Sequence, residues 1–380
     1  MRTVAAIGNV KDINTFSGTP YHFYKAAYRH SFVNEAWELK MGNHKFYRYL
    51  YGISQIVCLK KPVGYQYSSL FRTVSYHAID KKFFEGEVIS FNQHFPDAMK
   101  IKRSNGKIYY YIDATFKQLV ERYGFSKYFG KKTIKKILEE EKLNFENADF
   151  IVTFQNWARE SVVNEYKINS QKVKTILPGA NLELPQNYFP ILKKREENTK
   201  SSPFYLGFIG KDWERKGLLT VVEIKNILRR RGWNVKIRCA GYLPEYLKSD
   251  NEIEYVGFID KSKNLDVFCR FIESCNLGCL FSKAEFSSIA VLEFLRLGIP
   301  VAGYVVDGMN DLFFPAASLR FFPGDSLEFI ASQVEELLIN NNKYEALHSN
   351  AIKLSQYVTW DRCIEEWKQL LQLTHTDPEG

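Results

Sequence analysis

No apolar run in this chain is long enough to span a membrane. A helix needs about 20 consecutive apolar residues to cross a bilayer, so no segment reads as a transmembrane helix. The opening stretch MRTVAAIGNV turns polar too early for a secretion signal and reads as a first strand. Cysteine is scarce: Cys58, Cys239, Cys269, Cys275, Cys279 and Cys363, with no C-x-x-C pair among them. That spacing argues against a zinc site and for core thiols in a reducing compartment, so a cytoplasmic location is expected. The loop after the first strand lacks G-x-G-x-x-G, which removes the usual dinucleotide fingerprint. No Asp-x-Asp pair occurs, so no essential metal and no resident cofactor are expected. The net charge of +9 would suit nucleic acid, yet no helix-turn-helix, RRM or zinc-finger pattern accompanies it, and no nucleic-acid partner is expected. Internal repeats and low-complexity tracts are also missing.

What is present is an alternation of apolar runs and helical patterns. With 380 residues, 45% apolar and 25% charged, the chain is globular and long enough for two cores. Residues 3–7, 55–59, 88–92, 108–113, 150–154 and 173–177 read as buried strands of a first half. Residues 204–209, 235–240, 277–281 and 301–304 read as the clearest strands of a second. Strands alternating with helices predict an α/β fold built on parallel sheets. Between the halves lies PQNYFPILKKREENTKSSP at 185–203, polar, charged and bounded by proline, hence a linker.

Two stretches of the second half carry chemistry. At 282–301 the chain reads SKAEFSSIAVLEFLRLGIPV: a turn, then a helical pattern from about Ile289, stopped by Gly298 and Pro300. A helix start exposes unpaired backbone N–H groups at the positive end of its dipole, which suits an anion. Glu285 precedes that start and Glu293 follows it. On one continuous helix they would lie about 12 Å apart, beyond the roughly 5–9.5 Å of a glycosidase carboxylate pair, so two contacts on one long ligand fit better. The competing reading is a solvated helix face over an apolar core. The second stretch, FYLGFIGKDWERKGLLTVVEIKNILRRRG at 204–232, is strand, glycine turn, cationic loop and helix. Lys211, Arg215 and Lys216 crowd the turn, and fixed cations at the mouth of a parallel sheet suit a diphosphate. Ordinary surface charge, with Glu214 beside Arg215, is the alternative.

GKDWERKG, followed about 70 residues later by E-x7-E and then LGIPV, resembles the retaining glycosyltransferases of family 4. PGAN at 178–181 and FSGTP at 16–20 resemble the same family, and the likeness runs along nearly the whole chain. It implies a GT-B fold: a Rossmann-like acceptor domain at 1–190, a Rossmann-like nucleotide-sugar domain at 203–357, and a terminal helix, 358–380, crossing back to the first domain. It also implies a donor that is a nucleotide-diphosphate sugar of UDP or GDP type. Lys216, Lys211 and Arg215 would serve the diphosphate with the backbone at Ser287, Ser288 and Ile289. Glu285 would hold the sugar hydroxyls and Glu293 the ribose. Gly210 belongs to the cationic turn, Phe258 to YVGFID near the nucleobase, and Gly18 to the first-domain loop that borders the ligand. Where the family often has a histidine near the transferred sugar, this chain reads YYIDATF. Asp113 is the substitute candidate there and His94 the other. Serine also stands at 288 where glycine is usual.

The resemblance implies an enzyme that moves a hexose-type sugar to a hydroxyl of a glycan or lipid-linked acceptor in polysaccharide or glycoconjugate synthesis. The basic segments KYFGKKTIKKILEEEK at 127–142 and KAAYRHSFVNEAWELK at 25–40 can lie on an anionic membrane, giving peripheral contact with its inner face. They can equally be solvated helix faces. An epimerase-like enzyme acting on sugar nucleotides and a catalytically inactive member used for binding are the rival readings.

Overall fold

The computed structural model describes residues 1–39, 42–59, 64–185, 187–192 and 202–373. Most of the linker KKREENTKSSP lies outside them. The chain divides into two units, Met1–Pro178 with Cys363–Gly380, and Gly179–Arg362.

The first unit runs β1 (Arg2–Ala5), α1 (Thr19–Arg29), β2 (Glu35–Ala36), α2 (Gly42–Leu59), α3 (Ser69–Ala78), β3 (Glu87–Ser90), α4 (Ala98–Arg103), β4 (Lys107–Ile112), α5 (Phe116–Arg122), α6 (Lys131–Asn147), β5 (Phe150–Thr153), α7 (Asn156–Glu160) and β6 (Val173–Thr175). Its sheet is wholly parallel, in the order β2-β1-β3-β4-β5-β6. A parallel sheet covered on both faces needs continuous apolar runs rather than alternation. KIYYYI of β4 is such a run, buried from Ile108 onward. Residues 55–59, expected as a strand, instead end α2. A five-residue apolar run cannot be told from a buried helical turn by periodicity, and the helical pattern upstream decides it. Within 25–40, Phe32, Val33, Trp37 and Leu39 are buried in the core, while Tyr28 is exposed.

The second unit runs β7 (Phe204–Gly210), α8 (Leu218–Arg230), β8 (Val235–Gly241), β9 (Ile253–Gly257), α9 (Leu265–Glu273), β10 (Leu277–Leu280), α10 (Ile289–Arg296), β11 (Val301–Tyr304), β12 (Ser318–Phe321), α11 (Leu327–Ile339) and α12 (Asn341–Leu354). Its sheet is again parallel, β12-β11-β10-β7-β8-β9. The chain goes from β7 outward through β8 and β9, then returns to the other side of β7 as β10. The crevice outside the carboxyl ends of β7 and β10 is therefore the topological switch point, where open α/β sheets bind ligands. The same reversal occurs in the first unit between β1 and β3.

The last helix, α13 (Trp360–Leu373), leaves the second unit and joins the first from Cys363. Trp367 is fully buried there, 5.3 Å from the Tyr111 ring and 6.1 Å from the Phe23 ring. The terminal helix thus crosses back as expected.

Candidate functional site

The cationic turn after β7 and the loop after β10 meet at the second unit's switch point. The backbone joins them: Lys283 N–H donates to the Arg215 carbonyl at 2.8 Å, and Arg215 Nη1 donates to the Ala284 carbonyl at 2.8 Å. The turn can approach this closely because of Gly217, at φ +76°, where an added Cβ would stand 2.1 Å from the Phe281 carbonyl oxygen. Gly210 leaves room of a different kind, since a Cβ there would lie 3.0 Å from Cδ of Lys216.

Glu285 is the anionic centre of this junction, 7% exposed. Lys216 Nζ donates to its Oε2 at 2.9 Å and Arg215 Nη1 to the same oxygen at 3.1 Å, with Ser282 Oγ at 3.4 Å. Burial pushes this carboxyl up, but the two cations outweigh burial and hold it below the usual carboxylate range. Among the described residues all three of these hydrogen bonds reach Oε2, which leaves Oε1 to accept from a ligand. Asp307, at φ +49° just past β11, accepts the Glu285 backbone N–H at 3.2 Å and so fixes the loop from the far side.

Glu293 lies on α10, 3% exposed and ion-paired with Lys261. Its burial raises the carboxyl, and Lys261 and then the more remote Lys216 only partly offset that. The expected helix start is real: Ser288 is the N-cap of α10, yet its side chain makes no capping bond, and its buried Oγ has no partner among the described residues. Lys211 stands 4.3 Å from the centre of the Phe258 ring, a cation–π contact on an aromatic that is 63% exposed. Gly210, Lys211, Arg215, Lys216, Phe258, Glu285, Ser287, Ser288, Ile289 and Glu293 lie at the carboxyl ends of β7, β9 and β10 or on the segments that follow them. Glu285 and Glu293 are not on one helix, since Glu285 precedes α10. Lys261 and Asp307 escaped the sequence reading. Asp307 sits in VVDG, whose Asp-Gly marked a turn; nothing local tied Lys261 to a glutamate 32 residues on.

Asp113, His94 and Gly18 belong to the first unit. Asp113 and His94 line one cavity of about 320 Å³ at the β1/β3 switch point, with Ile7, Phe16 and Asn92. His94 is enclosed. Burial, helped by the charge of Arg72, drops its pKa to about 3, so the imidazole is neutral, and Nε2 has no hydrogen-bond partner among the described residues. Its Nε2 stands 3.7 Å from Glu141 Oε1. Glu141 is itself fully buried on α6 and accepts from Gln93 Nε2 and Phe116 N–H, each at 2.8 Å, and from the Tyr166 hydroxyl. Burial pushes its pKa to about 7 against these bonds. Gln93 also donates to the Ala114 carbonyl at 3.0 Å, so one carboxylate ties together the β3 and β4 loops that wall the cavity. Gly18 is a buried left-handed N-cap of α1, φ +83°, and shapes its loop without lining that cavity.

No family model matches the chain. A Haemophilus influenzae protein called an uncharacterized glycosyltransferase is 24% identical over 261 residues, covering 67% of this chain and 69% of that protein. Sucrose-phosphate synthase from Thermosynechococcus elongatus superposes with a TM-score of 0.67 at 14% identity, covering 99% of this chain and 100% of that one. HepE of Anabaena, solved in complex with UDP and glucose, gives 0.63 at 13% identity, over 98% and 99% of the two chains. Full-length superposition on these two solved structures, with two parallel six-stranded sheets in this chain, makes its fold GT-B.

Proposed function

We propose that the chain is a retaining glycosyltransferase of the family 4 type. It takes a hexose-type sugar from a UDP- or GDP-sugar and places it on a hydroxyl of a glycan or lipid-linked acceptor, in polysaccharide or glycoconjugate synthesis. The observation that carries this reading is the junction of Lys216, Arg215 and Glu285 beside the N-terminus of α10. The names of the relatives support it, and so does the UDP held by HepE.

When the anomeric C–O bond breaks, its electron pair goes to the leaving diphosphate. Lys216, Arg215 and Lys211, with the backbone N–H groups at 287–289, stabilise that charge where it grows. Glu285, already ionised by its two cations, offers Oε1 to the sugar hydroxyls. Glu293 takes the ribose and Phe258 supports the base. In the first unit, Asp113 and the neutral His94 wall the cavity assigned to the acceptor side. Lysines and helix N–H groups take the part a metal plays elsewhere, so activity should persist in EDTA. The basic face of α6 supports peripheral contact with the inner face of an anionic membrane. The cysteine thiols support a cytoplasmic place for it, since no disulfide forms among the described residues. Among those residues no helix is long and apolar enough to cross a membrane.

The test is a panel of UDP- and GDP-sugars, read first by thermal stabilisation and then by NMR of the products. One donor should raise the melting temperature and yield a glycoside of unchanged anomeric configuration. An inverted product overturns the retaining assignment. No binding of any nucleotide sugar overturns the whole reading.

A further inference from the structure

We propose that the first unit carries a second saccharide subsite beside the cavity of Asp113 and His94, built for a sugar ring that bears a carboxylate or a phosphate. The proposal rests on the acceptor side assigned above and names the class of acceptor: a glycan neutral at the hydroxyl to be glycosylated and anionic further along. A cavity of about 300 Å³ adjoins the one of about 320 Å³ described above, and Ile7, Gln66, Tyr67 and Phe125 line both. Tyr67 links the two. Its ring lies 4.9 Å from that of His94, which lines the first cavity, and 5.8 Å from that of Phe129, which lines the second.

The chemistry of the two cavities is opposite. Asp113 is the charged side chain lining the first, since His94 is neutral. Arg48 of α2 is the charged side chain lining the second, among the aromatic rings of Tyr65, Tyr128 and Phe129. Arg48 is exposed and makes no ion pair or hydrogen bond among the described residues. Arg72, on α3, is by contrast held by both oxygens of Glu140, at 2.8 and 2.9 Å. The fork of Arg48 is thus left for an incoming group, and its planar pair of donors matches a carboxylate or a phosphate. Fixed charges of opposite sign also set a direction. An anion beside Asp113 is repelled and one beside Arg48 is attracted, so the neutral end of the acceptor belongs with Asp113. The aromatic walls choose a ring over a small ion. Inorganic phosphate would use the guanidinium and leave those walls wet, whereas a pyranose covers them with an apolar face.

The full chain, with no donor present, is titrated with methyl β-glucoside, methyl β-glucuronide and methyl β-glucoside 6-phosphate, and binding is followed by saturation-transfer NMR. The three share one all-equatorial ring and differ in the group at its sixth carbon. Wild type should bind at least one of the anionic glycosides about tenfold tighter than the neutral one, and which of them it is tells carboxylate from phosphate. Arg48→Gln should erase that preference and leave the affinity for the neutral glycoside as it was. Lys45→Gln, at an exposed lysine of α2 that lines neither cavity, should keep it. Tyr128→Ser, at a side chain 45% exposed, should weaken binding of all three glycosides at an unchanged melting temperature. Four results overturn the proposal: no wild-type preference for an anionic glycoside, a preference that survives Arg48→Gln, one that Lys45→Gln removes equally, or inorganic phosphate that binds as tightly as the glycosides. No transfer is read, so this subsite and the sugar-transfer reading can each fail without the other.

Discussion

Replacing Lys216 with alanine removes one of two cations from Glu285 and, on the proposed function, one from the leaving diphosphate. The ammonium lies 2.9 Å from Glu285 Oε2, and Arg215 remains at 3.1 Å. Glu285 therefore keeps a partner, and the stability cost should be that of one charged hydrogen bond, roughly 1.5–3 kcal/mol, toward the low end because Lys216 is partly exposed. The kinetic cost is separate. A unit charge about 4 Å from a cation gains about 4 kcal/mol at an effective dielectric of 20. If half a charge has moved to the diphosphate in the transition state, about 2 kcal/mol is lost, and if all of it has, about 4. At 1.36 kcal/mol per decade that is roughly 30- to 1000-fold in kcat, overlapping the usual cost of losing one preorganised donor. Because the charge grows during the reaction, KM for the donor should move less. Steady-state kinetics below the variant's melting transition, checked by circular dichroism, measures both. A folded Lys216→Ala enzyme with near-wild-type kcat refutes the reasoning and moves the diphosphate elsewhere.

Glu293→Ala should behave differently, raising donor KM with little change in kcat, because a ribose contact is equal in ground and transition states. Gly217→Ala puts a side chain where φ is +76° and 2.1 Å from a carbonyl oxygen; donor-induced stabilisation should disappear and the melting temperature fall. The buried Glu141 and His94 should give pH dependences of opposite sign. Glu141 is raised to about 7, so its native form holds a proton that the unfolded chain gives up above about 4.5; that term weakens folding as pH rises between the two values, by roughly 3 kcal/mol in all. His94 is lowered to about 3, so the unfolded chain takes up a proton the native one refuses, and folding weakens as pH falls below about 6.5. In denaturation series, His94→Asn should lose stability toward neutral pH and Glu141→Gln toward acid. Flat profiles in both would contradict the assignment.

The parts of the fold that were legible in the sequence are those where one residue type does one local job. β4, β5, β7 and β10 stand out because strands buried on both faces cannot afford polar interruptions. α10 was readable from the helical pattern that begins at about Ile289 and stops at Gly298 and Pro300, and the cation turn from three bases around glycines. What was hidden depended on partners distant in sequence. Glu141 sits in EEEK, which reads as a solvated face, and only the fold brings Gln93, Phe116 and Tyr166 to it. The Lys261–Glu293 pair is of the same kind. β2 was missed because two residues give too short a pattern, and β12 because Ser318 and Arg320 interrupt its apolar run. The run at 55–59 was misread because strand and buried helical turn look alike at that length.

Glu285 means that the proposed diphosphate site is not an open trap for anions. Two of its three fixed cations already have a resident counterion, held through one oxygen. A bare inorganic phosphate arriving there must compete with that carboxylate on charge alone and brings nothing else to the exchange. On the roles proposed above, a nucleotide sugar brings a base for Phe258, a ribose for Glu293 and hydroxyls for the spare oxygen of Glu285. Selectivity over the cell's abundant small phosphates is then set by the resting state of the pocket itself, before any loop has to close.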